Sequence, residues 1–193
     1  AIKQVFSNRS MWFIAIAMLG FAGSTKGVMG YLPLYLRNTG WAAPAADGAL
    51  AAFNAASTAA AIPLALLSDK LGRRKAFLVP SLAITFISMG LLSFITGPII
   101  WLLAILSGVF REMIWAIAAT MIVETEGIGP EYAGTAVGME HAFTRVGYTF
   151  APPAGNAFVA LSAGAPFVFW AGLSFLALVS FAFVKETGKT RVR

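Results

Sequence analysis

Six apolar stretches in this chain are each close to the length that crosses a lipid bilayer. Residues 11–36, 48–68, 76–96, 99–122, 133–161 and 164–184 read as spanning helices. A span needs about 20 mostly apolar residues. Hydrocarbon holds no water to satisfy backbone N–H and C=O groups, and an α-helix satisfies them within itself. The pattern therefore predicts an all-α integral membrane fold. Composition agrees: 11% of the 193 residues are charged and 59% are hydrophobic, where a soluble domain carries about 25% charge. The segments between spans, TGWAAPAADG, LGRRK, TGP, EGIGPEYAG and SAGAP, hold most of the glycine, proline and charge.

The basic residues orient the helices. Lys3, Arg9, Lys70, Arg73, Arg74, Lys75, Lys185, Lys189, Arg191 and Arg193 fall on one side, and only Arg37 falls on the other. This bias predicts that both termini lie in the cytoplasm, with the plasma (inner) membrane as the expected location. The formal net charge of +6 is then a topology signal, and no nucleic-acid partner is expected. The chain has no cysteine and one histidine. That excludes disulfides, thiolate metal sites and any multi-histidine metal site from this chain alone, and no cofactor is expected. The first residue is Ala1, and the first apolar run is too long for a signal peptide. Both fit a fragment of a longer chain.

Two spans are rich in small residues. The second runs ALAAFNAASTAAAIPLA, and the first carries Gly20, Gly23, Gly27 and Gly30 before Pro33. Gly23 and Gly27 form a small-xxx-small pair that lets another backbone approach. One reading of the first span is close packing alone. The other is a locally broken helix lining a cavity, a reading favoured by Lys26 in the same stretch.

The connection between the second and third spans reads ALLSDKLGRRKAFLV. It resembles the signature loop of the major facilitator superfamily at Asp69, Lys70, Gly72, Arg73 and Arg74, with Leu67 at the leucine position. Ala65 departs from the usual glycine. The resemblance covers the whole chain and implies one half of a twelve-helix transporter. GYLPLYLRNTG, GTAVGMEHAFTRVGYTFAPPAGNAF and FVKETGKTRVR are similar to parts of a C-terminal half. The implied partners are the bilayer, a small solute and a missing N-terminal six-helix half, or a second copy of this chain. In the family this loop is a conformational latch, which assigns that role to Asp69, Gly72, Arg73 and Arg74. Asp69 is expected to accept hydrogen bonds from the first amides of a neighbouring helix. Gly72 is expected to make the tight turn, and the arginines to pair with Glu124, Glu126 or Glu131.

Three cations lie inside spans: Lys26, Arg111 and Arg145. Arg111 and Arg145 stand about twelve residues from the nearer marked span end, near the bilayer midplane. Charges at that depth cost several kcal/mol unless they face water or partners. The resemblance implies that the first, second, fourth and fifth helices line the cavity, and these charges lie on three of them. Arg111 and Glu112 are adjacent, project about 100° apart and are expected to serve separate roles. His141, Arg145 and Tyr148 share one helix face, with Glu140 off it. The expected substrate contacts are Arg111, Arg145, Lys26, Tyr148 and Asn54, and the expected proton-coupling groups are Glu112, His141 and Glu140. Tyr31, Trp115 and Phe143 are further candidates for hydrogen bonding or stacking.

Two functions follow from these charges. One is transport of a small anion by alternating access with proton coupling, since the arginine fork suits carboxylates and similar anions. The other is proton-coupled export of neutral or cationic drug-like compounds, with the buried charges as a salt-bridge network. A channel or non-transporting receptor is the alternative of another class. No enzymatic role is expected. The chain lacks the Gly-x-Ser-Gly nucleophile of a rhomboid-like protease, paired intramembrane aspartates and a phosphate-binding loop.

Overall fold

A computed structural model describes residues 1–188; Lys189, Arg191 and Arg193 of the basic set lie outside the described residues. Eight α-helices make up the described chain: α1 (Ile2–Ser7), α2 (Arg9–Asn38), α3 (Ala43–Leu71), α4 (Arg74–Leu91), α5 (Ile99–Val109), α6 (Arg111–Glu124), α7 (Gly129–Ala157) and α8 (Ala165–Phe183). A short 3₁₀ turn, Phe158–Ala160, follows α7. Five helical segments are long and apolar enough to cross a membrane, with α5 and α6 together forming one of them. At 29 residues α7 is long enough, but Glu131, Glu140, His141 and Arg145 interrupt it.

The ends follow local chemistry. Asn8 caps α2, its side chain accepting the Ser10 N–H at 3.0 Å. Pro44 sits in the first turn of α3, where its missing N–H leaves nothing unpaired. Gly72 closes α3 in the left-handed conformation at φ 62°, which a side chain disfavours.

Helix continuity decides one open alternative and corrects one reading. For the glycine-rich stretch the unbroken, close-packing alternative holds: α2 runs without a break from Arg9 to Asn38, through all four glycines and Pro33. The fourth span, read as continuous over 99–122, is interrupted at Phe110 between α5 and α6, where the backbone stays in the right-handed region at φ −91° and ψ −4°. Ser107 and Gly108 precede it, a pairing at which helices kink. A Cβ on Gly108 would stand 2.5 Å from the Phe53 carbonyl oxygen, so α5 and α3 touch backbone to backbone just before the break.

Close contact organises the rest. The central α2 packs on α7 and α8, α3 on α5 and α6, and α4 on α8 and α5. Lipid tails are as apolar as leucine, so association inside the membrane depends on close fit more than on burial. Gly23 faces Ala151, where a Cβ would come within 2.6 Å of the alanine Cβ. Gly147 faces Leu19, where a Cβ would stand 2.3 Å from the carbonyl oxygen. Any side chain at either position forces α2 and α7 apart. The apolar interior forms two clusters. One gathers Ile14, Phe21, Leu82, Ile117, Met121 and Phe181, and the other gathers Leu32, Tyr35, Met89, Leu103, Phe167 and Trp170. Along α2 and α8, Ser24 and Ser174 fall between the two clusters, with the Ser174 hydroxyl donating to Ser24 at 2.8 Å.

Candidate functional site

The broken span delivers charge to the interior. Arg111 opens α6, and Glu112 lies in its first turn, where a carboxylate is favoured by the positive end of the helix. A helix start leaves amides without intrahelical partners. Ser57 of α3 takes one of them, its hydroxyl accepting the Glu112 N–H at 3.3 Å.

A cavity of about 470 Å³ opens beside this start. Lys26 and Met29 of α2, Arg111, Glu112 and Trp115 of α6, and His141, Arg145 and Tyr148 of α7 line it, with Thr25 and Thr144 at the wall. Six of the residues expected from sequence, on three helices, thus meet in one space. Asn54 does not line it but accepts from the Arg111 guanidinium at 3.0 Å.

Arg111 and Glu112 are one ion pair, contrary to the sequence expectation. The Glu112 Oε1 lies 2.6 Å from Nη2 and 3.0 Å from Nε of Arg111. The expected divergence of about 100° still holds for their Cβ directions, since both residues lie within α6. The long arginine side chain closes the gap by folding back on its neighbour. The guanidinium also lies 5.6 Å from the Phe53 ring centroid and 3.1 Å from the Met29 sulfur. Arg111 is therefore held on several sides. Lys26 and Arg145 have no carboxylate within 4.0 Å among the described residues, so the two cations left for a ligand are these.

Glu140 does not line the cavity but contacts two residues that do, His141 and Thr144. It is 4% exposed, accepts from the Thr144 hydroxyl at 2.6 Å, and lies 3.5 Å from the His141 ring. Tyr31 is buried, its hydroxyl donating to the Ala163 carbonyl at 2.9 Å. Phe143 packs edge-on against Trp12 at 5.7 Å. Neither reaches the cavity, whereas Trp115 does.

The loop between α3 and α4 forms a second charged cluster. Arg74 pairs with Asp69 and, at 3.0 Å, with Glu124 at the end of α6. The first amides of α4 are not taken by Asp69, as the loop suggested, but by Glu186, which accepts from the N–H of Arg74 at 2.8 Å and of Lys75 at 3.2 Å. Asp69 instead faces the arginine side chain. Thr187 donates to Glu124 at 3.1 Å, tying the segment after α8 to the same cluster. Arg73 and Glu131 form no ion pair among the described residues, and Glu126 lies near Lys185 at 3.8 Å.

The sequence model of the Major Facilitator Superfamily matches residues 13–193. The chain belongs to the Major Facilitator Superfamily. It is thus a member of a family of membrane transporters, and an integral membrane protein. No curated protein matches the chain. In this superfamily member, sequence reasoning missed Thr25, Met29 and Thr144 as cavity residues and Ser57 and Glu186 as partners. Helical spacing signals the first three, since Thr25 and Met29 flank Lys26 and Thr144 shares the face of His141 and Tyr148. No local pattern signals Ser57 or Glu186, whose contacts join residues 55 and 112 positions apart.

Proposed function

We propose that the chain is the C-terminal six-helix half of a twelve-helix secondary transporter that carries a small anion by alternating access with proton coupling. The N-terminal half, or a second copy, closes the open side of the cavity. The observation that carries this reading is the charge in the cavity. Three cations line it with one carboxylate, and that carboxylate is already paired with Arg111. Lys26 and Arg145 are left to hold an anionic group, with Tyr148 beside them as a hydrogen-bond donor.

The Arg111–Glu112 pair supplies the coupling. Protonating Glu112 removes its claim on the guanidinium, and the freed fork turns to the substrate anion. Deprotonation restores the pair and releases the anion. His141, exposed at the cavity rim and next to Glu140, is the proton relay. Asp69, Gly72, Arg73 and Arg74 form the latch that holds one side closed, with both termini in the cytoplasm and α7 completing the sixth span.

The export of neutral or cationic compounds draws support from one contact. Arg111 is engaged by Glu112 and Asn54, as a structural network requires. Uptake by the purified protein in proteoliposomes separates the two. An inward proton gradient should drive accumulation of a small carboxylate above its equilibrium level. Accumulation of organic cations under an outward proton gradient, with none of carboxylates under the inward one, would replace this proposal by the exporter.

A further inference from the structure

A third group of cations is used by neither the cavity nor the latch. Where α2 begins and α8 ends, a separate cavity of about 270 Å³ is lined by Arg9, Ser10, Phe13, Phe183 and Lys185. Its two ends differ in chemistry. Arg9 and Lys185 stand at the helix termini, where the apolar spans give way to polar chain. One turn deeper, the Phe13 and Phe183 rings stack at 5.6 Å, 25° from parallel, and Phe183 is 65% exposed. The Arg9 guanidinium lies 5.4 Å from the Phe13 centroid, joining the charged end to the apolar one.

The nearby carboxylates do not neutralise these cations. Glu124, Glu126 and Glu186 border the adjoining cavity together with Arg9 and Lys185. Glu124 is held by Arg74 and Thr187, and Glu186 by the first amides of α4. Glu126 alone reaches Lys185, at 3.8 Å with both side chains over 80% exposed, a geometry in which ion pairs contribute little. Arg9 forms no ion pair among the described residues. Among the described residues, no carboxylate lines the cavity that holds the phenylalanines.

We infer that this cavity binds an anionic phospholipid, its phosphate between Arg9 and Lys185 and its acyl chain along Phe13 and Phe183. Basic pockets between spanning helices at the headgroup level suit such lipids. The Ser10 hydroxyl and the positive end of α2 add to the headgroup's surroundings. The aromatic pair supplies what a soluble phosphate cannot use.

The test is lipid retention by the purified protein in detergent, read by native mass spectrometry with phosphatidylglycerol and phosphatidylcholine of the same chains. The wild type should favour phosphatidylglycerol. Arg9→Gln or Lys185→Gln should each reduce that preference about fivefold, and the double variant about 25-fold. Lys3→Gln, on the same side but outside the cavity, should leave it unchanged. Inorganic phosphate at matched concentration should fail to compete. Equal retention of both lipids by the wild type would overturn the inference without recourse to any variant. So would an unchanged preference in the double variant, an equal loss with Lys3→Gln, or full competition by phosphate.

Discussion

Arg111 shows how a neighbouring residue can become a partner. Within a helix, adjacent residues diverge, and residues three or four apart are the usual neighbours. The reach of the arginine side chain overcomes that divergence, and the two side chains meet at 2.6 Å. Sequence made the charges and their depth legible, because a charge in an apolar run stands out. It hid the pairing, because helical spacing gives Cβ directions and not the reach of a long arginine side chain. Replacing Glu112 by Gln leaves the guanidinium without its carboxylate and the site without its proton acceptor. The variant should lose pH-driven accumulation yet retain solute exchange in proteoliposomes, whereas intact accumulation would take coupling away from Glu112. Lys26 and Arg145 are the cavity cations without a carboxylate partner among the described residues. Charged hydrogen bonds contribute about 1.5–3 kcal/mol, so Lys26→Gln should weaken anion binding about tenfold or more in an equilibrium binding assay.

Apart from α1 and the interruption between α5 and α6, the helices were legible to within a few residues because a helix in lipid must satisfy its own backbone. Their contacts were legible only where small residues cluster. Gly23 signalled the close approach of α2, but its counterpart Gly147 lies in a helix whose polar face drew attention elsewhere. The two helices meet where a Cβ on Gly147 would stand 2.3 Å from the Leu19 oxygen. Gly147→Val should therefore lower stability by about 1–3 kcal/mol, as overpacking does, visible as a lower melting temperature in detergent. A Cβ on Gly30 would meet nothing within 4 Å, and Gly30→Ala should leave the melting temperature unchanged or raised. Equal destabilisation by both would show that helix flexibility, not contact, decides these positions.

Across the whole molecule, two charged centres lie at different levels, one in the cavity and one at the α3–α4 loop. α6 joins them, with Arg111 and Glu112 at its start and Glu124 at its end. The loop's part in this was legible from Asp69 to Arg74, but Glu186, which caps α4 from the far end of the chain, was not. Asp69→Asn weakens the cluster on the exposed side of Arg74, and it should shift the balance of open and closed forms. The chain has no cysteine, so single cysteines placed along the cavity can report that shift by labelling rate; unchanged rates would reduce Asp69 to a topology anchor. The central claim is that the unpaired cations of the cavity hold an anionic group. It is tested most directly by calorimetric titration of the purified protein with a small carboxylate and its neutral amide, in the wild type and in Arg145→Gln. The account predicts that the wild type binds the carboxylate and not the amide, and that Arg145→Gln weakens carboxylate binding about 10- to 100-fold. Equal binding of carboxylate and amide, or unchanged affinity in Arg145→Gln, would contradict it.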